Sequence, residues 1–288
     1  MAEAPGEVYL KLENLQPIGS FKLRGAGNAL ALASPQELER GVWTASAGNM
    51  AQGVAWWARR LGLPCRVVVP ETAPETKIAA TRRLGGDIVK VPFDDWLDIF
   101  RTHRHEGFEG FFVHAFSDPA VMAGNGTIAL EILEDLPDVG AVIIPYGGGG
   151  LCCGIGSALR TLAPACRVYA CEVATGAPLA ASLAAGAPTR VDYEPSFVDG
   201  IGAPEGFPEM FELTRQLVEG SLVAELDEVA EAVRLLAERA RIVAEGAGAT
   251  PVAAALAGNA GGGKIVCVVS GGNIDASKLA AILRGETP

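Results

Sequence analysis

The sequence is poor in positive charge, in aromatic residues and in long hydrophobic runs. Its 23 lysine and arginine residues are outnumbered by 34 aspartate and glutamate residues, so the formal net charge is −11 at pH 7. Nucleic acid and anionic membranes are also negatively charged, and we therefore expect neither as a partner. The apolar runs are strand-sized, well short of the ~20 residues that span a bilayer. No basic segment followed by an apolar stretch opens the chain, so no export signal is expected.

The six cysteines show no Cys-x-x-Cys spacing, and the three histidines do not form a pattern of metal ligands. Cys152 and Cys153 are adjacent, and most of the other cysteines lie in apolar runs that resemble buried strands. Thiols of this kind are typical of a reduced compartment. We therefore predict free structural cysteines, no bound metal and a cytoplasmic location.

Short apolar runs alternate with amphipathic stretches along the whole chain, which predicts an α/β fold with a parallel sheet covered by helices. A length of 288 residues favours two lobes. No low-complexity linker divides the chain, so the chain must cross between the lobes. We predict a large domain of residues 1–37 and 119–288 and a small domain of residues 38–118. The predicted strands are 41–46, 65–70, 87–92, 111–116, 141–146, 167–173 and 264–270, and the longest predicted helix is 226–246.

One lysine has apolar neighbours on both sides. In "QPIGSFKLRGAGNAL", residues 16–30, Lys22 lies between Phe21 and Leu23, just after a Pro-x-Gly-Ser turn. Burial among apolar groups favours the neutral amine of a lysine, which is a usable nucleophile. The alternative is an ordinary helix lysine whose ammonium reaches solvent. This stretch alone does not decide between the two.

Four consecutive glycines follow a strand-like run in "PYGGGGLCCGIG", residues 145–156. Because glycine has no Cβ, successive backbone N–H groups can converge on an anion, and the dipole of a following helix favours its charge. A tight strand-to-helix turn alone would need only one or two glycines. The spacing matches neither a Walker P-loop nor a dinucleotide fingerprint. We therefore predict a phosphate site of another kind at these glycines.

Two further turns lead from a predicted strand into a helix. In "TASAGNMAQG", residues 44–53, Ser46 and Asn49 offer neutral hydrogen-bonding groups, and the helix N–H groups suit a carboxylate. In "VVSGGNID", residues 268–275, Ser270 ends a buried strand, where ligands bind in open α/β sheets. A helix cap is an equally good interpretation of each serine.

A phosphate turn, a carboxylate-binding turn and a nucleophilic lysine are together the components of a pyridoxal phosphate enzyme that acts on amino acids. Six segments occur in the same order as in a known family: "LKLENLQPIGSFKLRGAGNA", "TASAGNMAQGVA", "AGNGTIALEI", "GGGGL", "VDGI" and "SGGN". With them, nearly the whole chain resembles the threonine/serine dehydratases, pyridoxal phosphate enzymes of fold type II. The resemblance implies two lobes, each an open, mostly parallel, twisted sheet covered by helices, with the cofactor in the cleft between them.

The resemblance also implies roles for individual residues. Lys22 would bind the cofactor covalently and act as the catalytic base. Asn49 would hydrogen-bond the pyridine 3-hydroxyl, and Ser270 would face the pyridine nitrogen. The other implied cofactor-binding residues are Gly147, Gly148, Gly149, Gly150 and Leu151 at the phosphate, Gly200 beside the ring and Glu245 near the site. The implied substrate-binding residues are Ser46, Gly48, Asn49, Met50 and Phe116.

The implied activity is the dehydration and deamination of L-threonine or L-serine to 2-oxobutanoate or pyruvate, with release of ammonia. Ala47 stands where related serine racemases have a second serine, which argues against racemisation. Phe116 resembles the phenylalanine of threonine dehydratases. Met50 replaces the histidine of most relatives and alters the carboxylate-binding turn. Pro178 falls where the racemases have an acidic metal ligand, which argues against a divalent-cation site.

Other interpretations stay open. Dehydratases of 3-hydroxyaspartate or phenylserine share these motifs, and so would a catalytically silent protein that binds pyridoxal phosphate. Cysteine synthases differ, because they have Asp-Arg after the lysine where this chain has Leu23-Arg24. The resemblance further implies a small amino-acid substrate and a homo-oligomer, either a dimer or a tetramer. The short segment before Lys22 indicates a short or truncated start, and the end near residue 285 implies no feedback control by isoleucine.

Overall fold

Two compact units make up the chain, of which the computed structural model describes residues 4–288 apart from the side chain of Arg101. The first unit comprises the chain up to Leu15 together with Gly126–Pro288, and the second comprises Gln16–Asn125. The domain boundaries inferred from the sequence, 1–37 with 119–288 and 38–118, stay a prediction. Residues 1–3 of that large domain lie outside the described residues.

Strands and helices alternate along the described chain. The strands are β1 (Glu7–Leu12), β2 (Val42–Ala45), β3 (Cys65–Pro70), β4 (Asp87–Val91), β5 (Phe111–Phe112), β6 (Ala141–Pro145), β7 (Arg167–Val173), β8 (Gly220–Ala224) and β9 (Lys264–Val269). The α-helices are α1 (Lys22–Leu32), α2 (Pro35–Leu38), α3 (Asn49–Leu61), α4 (Glu75–Arg83), α5 (Phe93–Thr102), α6 (Pro119–Asp135), α7 (Gly150–Leu162), α8 (Pro178–Ala185), α9 (Pro208–Thr214), α10 (Leu226–Leu235), α11 (Gly246–Leu256) and α12 (Ala276–Leu283). None of the helices within residues 4–288 is both long and apolar enough to cross a bilayer.

A five-stranded sheet forms the centre of the first unit, in the order β1-β9-β6-β7-β8. All of its strand pairs are parallel. The inner strands β6 and β9 are almost entirely buried and read "AVIIP" and "KIVCVV", the continuous apolar runs of strands covered on both faces. The core of this unit includes Ile143, Cys267 and the alanine-rich face of α11.

The second unit has a four-stranded sheet in the order β4-β3-β2-β5, also with parallel pairs only. Its core includes Trp43 and Val68, with Trp96, Phe100 and Phe112 packed against them. Parallel sheets flanked by helices in both units confirm the predicted α/β class.

The structure contains two edge strands that the sequence analysis did not predict, β1 and β8. In β1, Val8 and Leu10 point toward the core while Glu7 and Tyr9 are exposed, an alternation that indicates a half-buried strand. In β8, "GSLVA" is short and mostly half-exposed, so its apolar signal is weak.

Two predicted elements are shorter than expected. The helix predicted over 226–246 ends in a π-helical turn at Leu236–Ala240, and Arg241 then adopts a left-handed backbone with φ 59°. The strand predicted over 111–116 ends at Phe112. In the first case the backbone at Val243 and Glu245 is bonded to Asn14 and Gly271 elsewhere in the first unit. In the second case the N–H groups of Phe116 and Ser117 are bonded to the side chain of His114 in the same segment.

Candidate active site

Lys22 begins α1 in the second unit, and its side chain is half-buried. The Nζ atom donates a hydrogen bond to the backbone carbonyl of Ala115 at 2.6 Å. It also lies 5.1 Å from the ring centroid of Phe21. The structure therefore holds this amine against a particular backbone atom, whereas the ammonium of an ordinary helix lysine reaches into solvent.

Two glycines allow α1 and α3 to pack closely, which fixes the position at which α1 starts. A Cβ atom on Gly53 would lie 3.1 Å from the backbone oxygen of Lys22, and one on Gly27 would lie 2.6 Å from the ring of Trp57. The Trp57 Nε1 group donates a hydrogen bond to the Leu23 carbonyl at 2.8 Å. Lys22 is thereby tied to α3, the helix whose first turn carries the predicted substrate-binding residues.

The predicted substrate-binding turn connects β2 to α3. The Gly48 N–H donates to Ser46 Oγ at 3.2 Å, so this serine shapes the turn. A Cβ atom on Gly48 would meet no other atom within 4 Å, and Asn49 is the first residue of α3. Met50, in contrast, is only 1% exposed, and its side chain belongs to the interior of the unit. Any effect of Met50 on substrate choice would therefore act through packing beneath the turn.

The segment after β5 turns around His114, a residue to which the sequence analysis gave no role. Its Nδ1 atom accepts the backbone N–H of Phe116 at 3.2 Å and that of Ser117 at 2.9 Å. These bonds form a turn in the second half of the strand predicted over 111–116. Phe116 itself is buried and stacks on Phe100, with ring centroids 5.8 Å apart.

The glycine-rich turn of the first unit leads from β6 into α7. Gly149 has φ 86°, a left-handed conformation that favours glycine. A Cβ atom there would lie 3.1 Å from the hydroxyl of Tyr146, and one on Gly147 would lie 3.3 Å from the Gly200 carbonyl. Side chains are thus excluded from this turn, and the positive end of the α7 dipole lies where an anion would bind.

A buried, neutral network lies beneath the glycine-rich turn. The Tyr146 hydroxyl is 3.3 Å from Thr214 Oγ1, which in turn is 3.2 Å from Cys153 Sγ. Burial raises the pKa values of both Tyr146 and Cys153, so neither group carries negative charge at neutral pH. This network supports the turn without opposing an anion bound above it.

The other predicted residues of the first unit lie around a second turn, which follows β9. A Cβ atom on Gly200 would lie 3.6 Å from Oε1 of Glu245, so this carboxylate is beside Gly200. The Glu245 N–H donates to the Gly271 carbonyl at 3.0 Å, next to the buried Ser270. Gly147, Gly200, Glu245 and Ser270 are therefore linked within one unit.

Asn14, which the sequence analysis left without a role, supports this second turn. Its Nδ2 group donates to the Val243 carbonyl at 2.9 Å, in the segment that follows the π-helical turn. A Cβ atom on Gly272 would lie 2.5 Å from that same carbonyl. The segment is thus pressed between Asn14 and the turn after β9, which explains why the predicted helix over 226–246 cannot continue.

Glu172, at the end of β7, caps a helix. Its carboxylate accepts the N–H groups of Leu179 and Ala180, each at 2.8 Å, and the hydroxyl of Ser221 at 2.6 Å. Burial raises its pKa, and these three hydrogen bonds lower it. Across residues 4–288, no group of three or more His, Cys, Asp or Glu side chains is arranged to hold a metal ion.

The six cysteines carry free thiols, five of them buried and Cys166 half-buried. Burial raises the pKa of each of these thiols. All six are therefore neutral thiols, and the five buried ones fill the interior.

These residues fit pyridoxal phosphate. The glycine-rich turn is a cradle that a Cβ atom would fill, and it leads into a helix of 13 residues, whose dipole favours the negative charge of a phosphate ester. The buried hydroxyl of Ser270 is a neutral partner for a pyridine nitrogen. In the second unit, considered by itself, Lys22 carries a primary amine, the group that condenses with an aldehyde.

Comparison with known proteins defines the class. Residues 1–271 match the family described as "Pyridoxal-phosphate dependent enzyme". The match extends over far more than half of the chain, and the protein therefore belongs to this family of enzymes. The predicted dependence on pyridoxal phosphate and the predicted family resemblance are confirmed.

Three proteins that are similar to this chain have names that specify an activity. The L-threonine ammonia-lyase of Thermotoga maritima is 44% identical over 282 residues, which cover 96% of this chain and 70% of the relative. The processed form of threonine deaminase isoform 2 from Solanum lycopersicum matches with a TM-score of 0.87 and 34% identity over 98% of this chain and 79% of that one. Maize serine racemase also gives a TM-score of 0.87, with 29% identity, and the match covers 98% of this chain and 88% of that one.

Proposed function

We propose that the protein is an ammonia-lyase that converts L-threonine to 2-oxobutanoate and ammonia. The observation that carries this proposal is the high identity, along nearly the whole chain, to the Thermotoga maritima enzyme of that name. L-Serine, which lacks the β-methyl group of threonine, would give pyruvate and ammonia in the same way.

Lys22 would act at two stages. Pyridoxal phosphate, when bound, withdraws electrons from Cα of the amino acid and so acidifies the Cα proton. The Nζ atom of Lys22 would hold the cofactor and, in the reaction, take that proton as general base. The Ala115 carbonyl accepts from Nζ at 2.6 Å, which restricts the directions in which the amine can point.

The turn after β2 would bind the substrate. Ser46 fixes this turn through the Gly48 N–H, and Asn49 opens α3, where the positive end of the helix dipole favours a carboxylate. Phe116 would contact the side chain of the substrate, because it is the residue after Ala115, whose carbonyl accepts the hydrogen bond of Lys22. Met50 would set the packing below the turn.

The first unit would bind the cofactor. The N–H groups of Gly147–Gly150 and Leu151 would hold the phosphate, Gly200 would leave room for the flat ring, and Ser270 would face the ring nitrogen. Glu245 would contribute its carboxylate beside Gly200. A neutral hydroxyl at Ser270 cannot hold a proton on the pyridine nitrogen as an aspartate would, which favours loss of the β-hydroxyl group over transamination.

A product assay tests this proposal. The purified protein is incubated with pyridoxal phosphate and, separately, with L-threonine, L-serine, 3-hydroxyaspartate, phenylserine and D-threonine. We expect 2-oxobutanoate and ammonia in equal amounts from L-threonine, and no product from D-threonine. A faster reaction with 3-hydroxyaspartate or phenylserine would overturn the substrate assignment. A bound cofactor without keto acid from any of these compounds would instead indicate a catalytically silent protein.

The location and assembly of the protein are also part of the proposal. Six free thiols support a reducing compartment such as the cytoplasm. A homo-oligomer, either a dimer or a tetramer, is proposed from the family resemblance. Light scattering of the purified protein after size-exclusion chromatography measures the assembly, and a monomer would contradict it.

A further inference from the structure

Two backbone hydrogen bonds converge on one nitrogen atom of His114. His114 is 2% exposed, and its Nδ1 atom accepts the N–H groups of Phe116 and Ser117. The Ser117 hydroxyl is 3.1 Å from the same nitrogen. An imidazole nitrogen that accepts from backbone N–H groups has no proton of its own, so the ring proton is on Nε2.

The surroundings keep this ring neutral. The pKa of His114 is lowered to about 4, chiefly by burial and in part by the charges of His103 and Lys22, while a backbone hydrogen bond with Phe100 opposes the shift. The imidazole also contacts the rings of Phe100, Phe112 and Phe116 edge-on, at centroid distances of 5.6, 5.8 and 4.5 Å. These contacts fix the plane of the ring and hence the direction of the Nδ1 lone pair.

One peptide group connects His114 to Lys22. The Phe116 N–H and the Ala115 carbonyl are the two ends of a single planar unit, and a trans peptide directs them to opposite sides. The N–H end is bonded to Nδ1 of His114 at 3.2 Å, and the carbonyl end accepts from Nζ of Lys22 at 2.6 Å. Rotating this peptide would break both bonds together.

We propose that His114 is a positioning residue for Lys22, because its Nδ1 atom holds the Ala115–Phe116 peptide in the orientation that presents the carbonyl to Nζ. The inference rests on the proposed function in so far as Lys22 is taken to be the lysine that binds the cofactor. It assigns the acceptor nitrogen a role beyond filling space in an aromatic cluster.

Two variants of similar size separate positioning from packing. His114→Asn retains an acceptor oxygen close to the position of Nδ1, whereas His114→Leu fills the space without an acceptor. We expect His114→Leu to lower kcat for L-threonine by about 100-fold, since misplacing a catalytic group by ~1 Å has an effect of this size. KM should change by less than about threefold, and His114→Asn should recover kcat to within about tenfold of the wild-type value.

A second readout does not depend on turnover. Amide hydrogen exchange at Phe116 and Ser117, measured by NMR, should be at least tenfold faster in His114→Leu than in the wild type and nearly unchanged in His114→Asn. The rate at which the apo-protein binds pyridoxal phosphate at Lys22 can be followed by absorbance. This rate should change in His114→Leu and stay close to the wild-type rate in His114→Asn. If the wild type binds the cofactor at Lys22 but does not deaminate threonine, the proposed function fails while these two readouts still test the role of His114.

Three results would overturn the inference. The first is an equal loss of kcat in the two variants, which would show that only packing matters. The second is a His114→Leu variant with wild-type kcat and wild-type exchange at Phe116. The third concerns the wild type and applies even where His114→Leu does not fold: NMR of ¹⁵N-labelled histidine should show Nδ1 without a proton at pH 7, and a protonated Nδ1 would contradict the geometry.

Discussion

The side-chain nitrogen of Lys22 lies 2.6 Å from the carbonyl oxygen of Ala115, a residue 93 positions further along the chain. Lys22 is held at the start of α1 by close packing of α1 on α3, and Ala115 is held by a turn around His114. Two independent parts of the second unit thus determine where the amine is. The amine therefore has a fixed direction before any ligand binds, which suits the acid–base role proposed for Lys22.

The phosphate-binding turn can be tested with a matched pair of glycines. Gly149 and Gly186 both have a left-handed backbone, with φ 86° and 73°, so an alanine at either position should destabilise the apo-protein by about 1–2 kcal/mol. A Cβ atom at Gly149 also meets the Tyr146 hydroxyl at 3.1 Å, whereas one at Gly186 meets no atom within 4 Å.

We therefore expect Gly149→Ala to weaken the binding of pyridoxal phosphate by about tenfold or more, and Gly186→Ala to leave it unchanged. Fluorescence titration of the apo-proteins with the cofactor measures the affinity, and thermal unfolding measures the stability. Equal affinities of the two variants for pyridoxal phosphate would contradict phosphate binding at this turn.

The substrate-binding turn allows a similar comparison between two serines. Ser46 Oγ accepts the Gly48 N–H at 3.2 Å, and Ser34 Oγ accepts the Glu37 N–H at 3.3 Å in an exposed helix cap. Either serine-to-alanine change should cost about 1 kcal/mol of stability. Only Ser46→Ala should raise KM for L-threonine, by about tenfold, with a smaller effect on kcat. Steady-state kinetics of the two variants measures KM and kcat. An equal increase of KM in Ser34→Ala would contradict a specific role of Ser46.

The buried imidazole of His114 makes the stability of the fold depend on pH. Burial lowers its pKa in the folded protein to about 4, against an ordinary value of 6.5. Between these two values the unfolded chain binds a proton that the folded chain excludes, so stability falls as the pH decreases from about 6.5 and levels off near 4.

We expect the wild type to lose about 2 kcal/mol of unfolding free energy between pH 7 and pH 5 through this residue. Urea unfolding at several pH values measures the loss, and the difference between the wild type and His114→Asn isolates the contribution of the imidazole. Parallel stability curves for the two proteins would show that His114 is not buried as a neutral ring.

Much of the fold follows from patterns in the sequence. The inner strands β6 and β9 are continuous apolar runs, and short runs of this kind, bounded by turn residues, are typical of buried parallel strands. The edge strand β1 was missed although its alternating Val8 and Leu10 carry the expected signal, and β8 was missed because it has too little apolar character to carry one. Local composition is a weak guide at the edges of a sheet, where half of each strand is exposed.

The end of the helix predicted over 226–246 could not be inferred from its own residues. "LDEVAEAVRLLAERARIVAEG" is a good amphipathic pattern throughout, but Asn14 and Gly271, both distant in sequence, bond to the backbone at Val243 and Glu245. Tertiary hydrogen bonds here override local propensity.

The site shows the same limit of sequence reasoning. Lys22, the glycine turn and the serines stand out because their side chains, or the absence of one, carry chemistry. The partner of Lys22 is the main-chain carbonyl of Ala115, and no residue type indicates a carbonyl. His114 could have been noticed as a histidine within an apolar run, but its hydrogen bonds to Phe116 and Ser117 depend on a turn that the strand-like pattern of 111–116 conceals.

The most direct test of the central proposal is to locate the lysine that binds the cofactor. The protein is loaded with pyridoxal phosphate, reduced with borohydride to make the attachment permanent, digested and mapped by mass spectrometry. We expect the phosphopyridoxyl group on Lys22 in the wild type and in Lys90→Ala, which removes a lysine at an exposed position, and no attachment in Lys22→Ala. Attachment at any other lysine of the wild type, or to Lys22→Ala as readily as to the wild type, would contradict the role of Lys22.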